Sequence, residues 1–288
     1  MIDKNLLELK GVRKSFPGFV LNDISFSLPM GYIMGLVGPN GAGKTTTIQL
    51  ILNMLEKDAG EILVFGSDNV KNENLIKQDV GIVFDSIFYV DSWTVKDTEN
   101  AVSIFYDDWK HDVFNEMIMR FDLPPNKKVS ELSRGMQMKL MLACAFSHNA
   151  KLLILDEPTS GLDPVTRDEL LEILQDYIRD GERSVLFSTH ITTDLERVAD
   201  YITFINHGEL YYTGSMEDLL GSYRLIKGRP QDLTASLEKN IMGLRKTDIG
   251  FEGLIGTKEA MQYKNCVIDT ATIDDIIINV SKRGARKW

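Results

Sequence analysis

The sequence has 288 residues, of which 43% are hydrophobic and 26% are charged, so it can form one large domain and a small one. A formal net charge of −10 argues against a surface that attracts nucleic acid, and no nucleic-acid partner is expected. The apolar runs are too short to cross a bilayer and residues 1–5 do not begin a signal peptide, so a soluble intracellular protein is expected. The basic tail Lys282–Trp288 is predicted to be a solvated charge cluster.

Three predicted strands precede the most informative stretch of the chain. They cover Leu6–Lys10, Ile24–Leu28 and Tyr32–Val37, and the third runs directly into the sequence Gly-Pro-Asn-Gly-Ala-Gly-Lys-Thr at Gly38–Thr45. A predicted helix follows at Thr46–Leu52. Glycines let successive N–H groups turn toward one phosphate chain, and a helix N-terminus adds positive potential. This stretch is therefore predicted to be a P-loop.

The residue types in this loop indicate how a nucleoside triphosphate is held. Lys44 is expected to reach the β- and γ-phosphates, and the Thr45 hydroxyl is expected to ligate Mg²⁺. A glycine-rich turn that matches the pattern by chance is the alternative, but the flanking strand and helix favour the nucleotide site. The predicted nucleotide contacts in this stretch are Asn40, Gly41, Ala42, Gly43, Lys44, Thr45 and Thr46.

After the P-loop, strands and helices alternate. Strands bounded by glycine are predicted at Gly60–Gly66 and around Val80–Phe84. From Trp93 to about Arg120 the apolar residues recur at helical spacing, and Thr94 with Asp97 resembles a capping box, so a helical insert is predicted here.

The next segment combines a buried helix with interior strands. Leu140–Phe146 is predicted to be helical, and the continuous apolar runs Lys151–Leu155 and Ser184–Ser188 are typical of parallel strands covered on both faces. Alternation of strands and helices predicts an α/β fold in which ligands bind beyond the carboxyl ends of the strands.

From Met216 onward the pattern becomes that of a small appended α+β domain. Extended segments are predicted at Tyr223–Lys227 and Asn265–Asp269, and helical segments at Asp232–Leu244 and Ile273–Lys282. No catalytic constellation is recognisable in it. A packing or dimer-supporting role is therefore the leading prediction for this domain.

Two carboxylates end the predicted strand Lys151–Leu155. Asp156 is expected to hold Mg²⁺, directly or through water, and Glu157 to accept a proton from the water that attacks the γ-phosphate. An Asp-Glu pair before a proline is more often a turn or a helix start, so this pair is weak evidence by itself.

Taken together, the motifs make residues 6 to about 214 similar to the ATP-binding cassette (ABC) family. Leu132-Ser133-Arg134-Gly135-Met136 resembles the family's signature loop, Ser160–Asp163 resembles its D-loop, and His190 resembles its switch histidine. The resemblance implies a P-loop NTPase cassette at 1–215, with a RecA-like core, an antiparallel β-subdomain and a helical subdomain at about 86–139. Residues 216–288 form the accessory domain.

The resemblance also implies roles for single residues. Phe16 is expected to stack on adenine, although a lone phenylalanine is more often a core residue. Ser133 and the N–H of Gly135 are expected to bind the γ-phosphate of nucleotide held by the P-loop of a second subunit. Asp163 is expected to cap a helix and to lie near the partner's site, and His190 to contact the γ-phosphate. ATP with Mg²⁺ would then lie inside a dimer.

The sequence departs from the common family pattern at two positions. The signature has Arg134 and Met136 where the common form is Leu-Ser-Gly-Gly-Gln, but the phosphate-binding Ser133 and Gly135 remain. Asp85 stands where the family usually has the glutamine of the Q-loop. A carboxylate there is still a possible Mg²⁺ ligand, but it is shorter and charged, so altered turnover or altered coupling is expected.

The sequences of the P-loop and signature regions resemble those of bacterial exporters of drugs, lantibiotics and amphipathic peptides, in particular those of the phenol-soluble modulin exporter ATPases. This resemblance implies an ATPase subunit at the cytoplasmic face of the membrane, bound to a separate permease and paired with a second copy or a different ATPase. The alternatives are a soluble ABC ATPase without a transport role and a regulatory module that dimerises on ATP. A GTPase is disfavoured because the base-reading Asn-Lys-x-Asp motif is missing.

Overall fold

The structure is a computed structural model that describes residues 4–281, so the predicted basic tail lies outside the described residues. The chain divides into two compact units, of which the first ends at Thr213 and the second begins at Gly214. Within residues 4–281, no helix is both long and apolar enough to span a lipid bilayer.

A ten-stranded sheet forms the centre of the first unit. Its strands, in chain order, are β1 (Asn5–Phe16), β2 (Phe19–Pro29), β3 (Ile33–Val37), β4 (Ala59–Val64), β5 (Ser67–Asp68), β6 (Val80–Val83), β7 (Leu152–Asp156), β8 (Ser184–Thr189), β9 (Tyr201–Asn206) and β10 (Glu209–Ser215). Their order across the sheet is β5-β4-β1-β2-β10-β9-β3-β8-β7-β6. The predicted α/β fold with an antiparallel β-subdomain is confirmed, because β1, β2, β4 and β5 pair antiparallel while β3, β6, β7, β8 and β9 run parallel.

The strand that leads into the P-loop lies inside the parallel part of this sheet. β3 pairs with β8 on one side and with β9 on the other, and every residue of β3 is buried. β7 and β8 are also buried along their whole length, as expected for strands covered on both faces. The carboxyl ends of three neighbouring strands, β3, β8 and β7, therefore meet at one edge of the sheet.

Seven α-helices accompany these strands among the described residues of the first unit. They are α1 (Lys44–Ile51), α2 (Glu73–Gln78), α3 (Val95–Ser103), α4 (His111–Arg120), α5 (Arg134–Ser147), α6 (Pro164–Tyr177) and α7 (Thr192–Val198). The segment predicted to be a helical insert contains two helices, α3 and α4, which residues 104–110 connect. Gln78 holds this connection through bonds to the Phe105 carbonyl and the Asp107 N–H, both 2.9 Å long. The predicted capping box of Thr94 and Asp97 is present at the start of α3.

The second unit contains a four-stranded antiparallel sheet with the order β12-β13-β11-β14. Its elements are α8 (Met216–Ser222), β11 (Tyr223–Gly228), α9 (Ala235–Asn240), β12 (Met242–Lys246), β13 (Phe251–Gly256), α10 (Thr257–Ala260), β14 (Val267–Thr270) and α11 (Ile273–Ser281). The helix predicted at Asp232–Leu244 was wrong over its ends, because only α9 is α-helical and the chain enters β12 at Met242. β13 was not predicted from the sequence.

These errors have a physical reason. Residues 242–246 gain their extended conformation by pairing with β13, and Gly243 takes a φ of +63°, which favours glycine. A Cβ at Gly243 would lie 2.0 Å from Oδ1 of Asn279, so this strand is fitted closely to α11. Neither the pairing with β13 nor the contact with Asn279 can be recognised from the local sequence around Gly243.

Candidate nucleotide-binding site

The residues predicted to form the P-loop line a cavity of about 510 Å³ at the carboxyl edge of the sheet. The loop lies against the backbone that follows β9, where the Gly208 N–H donates to the Ala42 carbonyl over 3.0 Å. At Gly38 a Cβ would be 2.1 Å from the Ile205 carbonyl oxygen, so only glycine allows this close approach. The described residues that line the cavity are Phe19, Asn40, Gly41, Ala42, Gly43, Lys44, Thr45, Thr46, Asp85, Glu157, Ser160 and His190.

Lys44, the first residue of α1, is buried with 6% of its surface exposed. Its ammonium donates to the Gly38 carbonyl over 2.8 Å and lies 3.4 Å from Oε1 of Glu157. A buried cation costs free energy unless it is paired, and here the carbonyl and the carboxylate supply the pairing. The lysine predicted to bind phosphate is therefore already directed into the cavity.

Glu157 connects the P-loop to His190. Its second oxygen, Oε2, lies 2.6 Å from Nδ1 of His190 and also accepts the His190 N–H over 3.2 Å. The backbone of Glu157 has a φ of +51°, which is unusual and strained for a residue with a side chain. Its N–H donates to both the carbonyl and the hydroxyl of Ser188, each over 3.1 Å, and these bonds hold the strained conformation.

The tautomer of His190 determines what it offers to a phosphate. A proton on Nδ1 is used by Glu157, so a neutral imidazole leaves only an acceptor at Nε2. With Nδ1 bonded to Glu157, the ring can donate to a γ-phosphate from Nε2 only when both nitrogens carry a proton.

Asp156 is the buried carboxylate of the site, with 4% of its surface exposed. Burial raises its pKa above the ordinary 3.8; hydrogen bonds with Ser188 and Thr45 oppose the rise, and the carboxylates of Glu157 and Asp85 add to it. The Ser188 hydroxyl donates to Oδ1 over 2.5 Å. The protein alone therefore stabilises the ionised form of Asp156 less well than water does.

This oxygen set fits Mg²⁺. The Thr45 hydroxyl is bonded to Asp156, which lies behind the cavity lining, and Thr45 and Asp85 both line the cavity, so one hydroxyl and two carboxylates lie in the same region. Oxygen ligands are those that Mg²⁺ prefers, and the ion usually takes one or two protein carboxylates together with phosphate oxygens and water. Among residues 4–281 there is no group of three His, Cys, Asp or Glu side chains able to hold a metal unaided.

The predicted signature residues, and Asp163 at the end of the D-loop, lie outside this cavity. Ser133, Gly135 and Asp163 are not among the described residues that line it. Ser133 caps α5 by accepting the Met136 N–H over 3.3 Å, and Asp163 caps α6 by accepting from Val165 and Thr166 over 3.0 and 3.1 Å. These caps hold both loops in place. Ser133 and Gly135, which are predicted to bind phosphate, therefore have no phosphate site in the cavity of their own subunit.

Two cavity residues were not predicted as nucleotide contacts. Phe19 lines the cavity, whereas Phe16, the predicted adenine platform, does not. The rings of Phe16 and Phe19 are neighbours, with centroids 6.3 Å apart, and Phe16 is 37% exposed. Ser160, which was predicted only as part of the D-loop, also lines the cavity. An aromatic residue in a strand has the same pattern whether it packs in the core or faces a ligand, so Phe19 gave no separate signal.

Comparison with known proteins agrees with this geometry. The family model described as "ABC transporter" matches residues 21–160. The chain is 32% identical over 219 residues to ABC transporter ATP-binding protein YtrB of Bacillus subtilis, covering 76% of this chain and 75% of the relative. It is also 32% identical to Nod factor export ATP-binding protein I of Rhizobium leguminosarum bv. viciae, with coverages of 86% and 82%.

A solved structure described as the ATP-binding subunit of an ABC transporter superposes with a TM-score of 0.69 at 26% identity, covering 74% of this chain and 91% of the other. This chain thus shares its fold with an ATP-binding subunit of an ABC transporter whose structure is solved. Proteins of this family bind ATP at the P-loop and hydrolyse it. The chain therefore belongs to the ABC transporter family, as an ATP-binding subunit with ATPase activity.

Proposed function

We propose that this protein is the ATPase subunit of an exporter, and that two cassettes close on two molecules of Mg²⁺-bound ATP to drive a separate membrane permease. The observation that carries the proposal is the separation of the predicted γ-phosphate ligands. Lys44, Glu157 and His190 meet at the P-loop cavity, while Ser133 and Gly135 lie outside it. A second subunit that brings its own signature loop to this cavity would complete the set.

The residues at the cavity have distinct roles in this proposal. The Lys44 ammonium binds the β- and γ-phosphates, and Glu157 accepts the proton of the attacking water. His190 orients Glu157 and, when doubly protonated, donates to the γ-phosphate. Thr45, Asp156 and Asp85 would hold Mg²⁺, which supplies positive charge to the phosphate oxygens when bound. Phe16 with Phe19 offers aromatic faces for the adenine.

The free energy for transport then comes from closure. Inverting a population from mostly open to mostly closed needs about 5 kcal/mol of preference for the closed state. Each charge-assisted hydrogen bond contributes about 1.5–3 kcal/mol, so a few such bonds to a γ-phosphate suffice. Hydrolysis removes the γ-phosphate and with it this preference. The subunits then separate and the cycle restarts.

An exposed apolar surface on the first unit supports a permease partner. Phe88 and Val90 follow the Asp85 loop and are 72% and 47% exposed, and Ile104 and Phe105 follow α3 with 77% and 70% exposed. We call these four side chains the insert patch. Large exposed apolar groups that occur together are typical of protein contacts.

Each segment of the insert patch contains a tyrosine that packs against the C-terminal part of α5. Tyr89 lies at the Cys144 thiol, and the Tyr106 ring stacks on the ring of His148, the C-cap of α5, with centroids 3.9 Å apart. Burial raises the pKa of Tyr106, and Cys144 adds to the rise. Phe88 and Phe105, which are next to these tyrosines in the chain, remain exposed. The protein thus presents two phenylalanines from adjacent, fixed loops.

The direction of transport and the substrate class are inferred from similarity to other proteins. A relative named for Nod factor export supports an exporter, and the sequence resemblance to exporters of lantibiotics, drugs and phenol-soluble modulins supports a peptide or drug-like substrate. We place the subunit at the cytoplasmic face of the membrane, bound through its permease. The rival without transport, a soluble or regulatory ATPase, would bind no permease.

The dimer is tested with Glu157→Gln protein, in which ATP binds but persists. Light scattering after gel filtration is expected to show twice the monomer mass with Mg²⁺ and ATP, for this chain alone or together with an ATPase subunit encoded beside it, and the monomer mass with ADP. A mass that stays monomeric under every one of these conditions would overturn the proposal. Binding of a permease encoded by a neighbouring reading frame separates the exporter from its rivals.

A further inference from the structure

Arg134 reaches from the signature loop to the loop that follows β6. It is the first residue of α5 and is exposed, and its Nη2 donates to the backbone carbonyl of Asp85 over 3.2 Å. The contact joins two positions at which this sequence departs from the common family pattern. Because the acceptor is a backbone oxygen, this bond does not involve the Asp85 carboxylate, which lines the cavity and accepts from the Ser86 hydroxyl over 3.2 Å.

The same arginine side chain lies against the D-loop. A Cβ built on Gly161 would be 3.2 Å from both Cδ and Nε of Arg134 and 3.3 Å from Cζ, so the side chain covers the glycine closely. Gly161 has a φ of +74°, which also favours glycine, and it follows Ser160 of the cavity lining. The Arg134 side chain therefore links its own loop to two others, at Asp85 and at Gly161, and we call these three residues the three-loop junction.

Gly135 provides a second close contact of the signature loop, with the start of α6. A Cβ on Gly135 would be 3.3 Å from Cγ2 of Thr166, and Thr166 is bonded to Asp163 over 2.7 Å. The first turn of α5 thus packs closely on the first turn of α6. In this setting a guanidinium is well suited to hold loops, because it has several donors in a rigid plane and stays charged.

The charges at the junction are also complementary. Asp85 places a third carboxylate near Asp156 and Glu157, where Lys44 is the cation bonded to Glu157. Arg134 places a further positive charge beside the Asp85 backbone. Arg134, which adds a positive charge relative to the common family pattern, thus lies next to Asp85, which adds a negative charge.

We propose that Arg134 is a positioning residue, which holds the signature loop, the Asp85 loop and the D-loop in the arrangement required for closure of the ATP-bound dimer. This inference rests on the proposed dimer. Loops that are fixed before closure lose less conformational entropy when the subunits meet. Arg134 does not line the P-loop cavity, so its removal is expected to weaken closure while ATP binding to the single subunit is unchanged.

The test uses the Glu157→Gln protein, or its complex with a neighbouring ATPase if that is the dimer. Arg134→Ala is expected to raise the dimer dissociation constant with Mg²⁺ and ATP about tenfold, the effect of losing one charge-assisted hydrogen bond, as measured by sedimentation. Arg134→Lys is expected to recover part of it. Arg179→Ala is the control, because Arg179 is 83% exposed and its ion pair is with Asp176 on the outside of α6. Melting temperatures verify that each variant is folded.

A second variant tests the contact itself. Gly161→Ala strains the backbone in any background, but it displaces the arginine only where Arg134 is present. The combined Arg134→Ala and Gly161→Ala changes are therefore expected to weaken closure by less than the product of the two single effects.

Multiplicative effects would overturn the inference, because an arginine that touched only the partner's nucleotide would not couple to Gly161. Dimerisation of Arg134→Ala at the unmodified strength, or an equal loss of ATP affinity in the single subunit, would also overturn it. Failure of the Glu157→Gln protein itself to dimerise would instead reject the proposed function.

Discussion

The ammonium of Lys44 lies 3.4 Å from the carboxylate of Glu157, so the predicted phosphate-binding residue and the predicted base are paired before nucleotide arrives. A γ-phosphate that enters this cavity competes for the lysine with Glu157. The pairing makes the two residues interdependent, and each must be tested separately.

Replacement of Lys44 by alanine removes the buried cation. We expect ATP affinity to fall about 10- to 100-fold, as for the loss of a charge-assisted hydrogen bond, in an equilibrium titration of the purified subunit. Lys151→Ala is the control, since Lys151 is 53% exposed and paired with Asp79. Unchanged affinity in Lys44→Ala would contradict the P-loop assignment.

Glu157→Gln keeps the size of the side chain but removes its basicity. Binding of ATP is expected to persist, while hydrolysis falls by roughly 10² to 10⁴, the usual contribution of a general base. The measurement is phosphate release in single-turnover conditions, which separates chemistry from product release. Near-normal hydrolysis would remove Glu157 from the role of base.

Asp85→Gln restores the residue that the family usually has in the Q-loop. Because the glutamine is longer and neutral, we expect a change in turnover, or in its stimulation by the permease, while ATP affinity is retained. Asp85→Asn is the matched variant, which removes the charge but keeps the length. If neither property moves in either variant, Asp85 is neutral for the cycle.

Asp156→Asn tests the electrostatic cost of the site. Burial raises the Asp156 pKa, so the folded protein binds this proton more tightly than the unfolded chain does, and stability falls as the pH rises through the raised pKa. At pH 7 without nucleotide the variant is therefore expected to melt at a higher temperature than the unmodified protein. The difference should shrink as the pH is lowered toward 4.

The same variant is expected to gain less from ligand. Mg²⁺ with ATP raises the melting temperature in proportion to binding, so Asp156→Asn should show a smaller increase than the unmodified protein. A variant that melts lower at pH 7 would show that the bonds from Ser188 and Thr45 outweigh burial.

The insert patch gives a prediction about the permease. Phe88→Asp combined with Phe105→Asp is expected to weaken co-purification with the permease about tenfold or more, because exposed aromatic anchors often dominate such contacts. ATP hydrolysis by the isolated subunit should not change. Ile249→Asp is the control, since Ile249 is 88% exposed and lies in the second unit. Equal co-purification would place the permease contact elsewhere.

The elements that were correctly predicted are those with strong local signals. β3, β7 and β8 are buried apolar runs, and the glycine spacing of the P-loop needs no distant partner to be recognised. By contrast, β1 extends to Phe16, well past the predicted Lys10, because its register with β2 carries it on. β12 and β13 depend on each other in the same way, so neither was visible alone.

The site was predictable in its residue types but not in its contacts. Sequence motifs pointed to Lys44, Glu157 and His190, but their direct pairing depends on β3, β7 and β8 being neighbours. The left-handed backbone of Glu157 depends on bonds to Ser188, 31 residues away. The Arg134 contact with Asp85 spans 49 residues and has no local signal.

The central location of β3 has a consequence for how this protein loses activity. Its amides are bonded to β8 and β9, so they exchange with solvent only through large openings of the core. Heat and denaturant should therefore abolish ATP binding together with the whole first unit rather than ahead of it. A change that leaves the core folded but releases an outer loop should instead give a subunit that still binds nucleotide but does not drive transport.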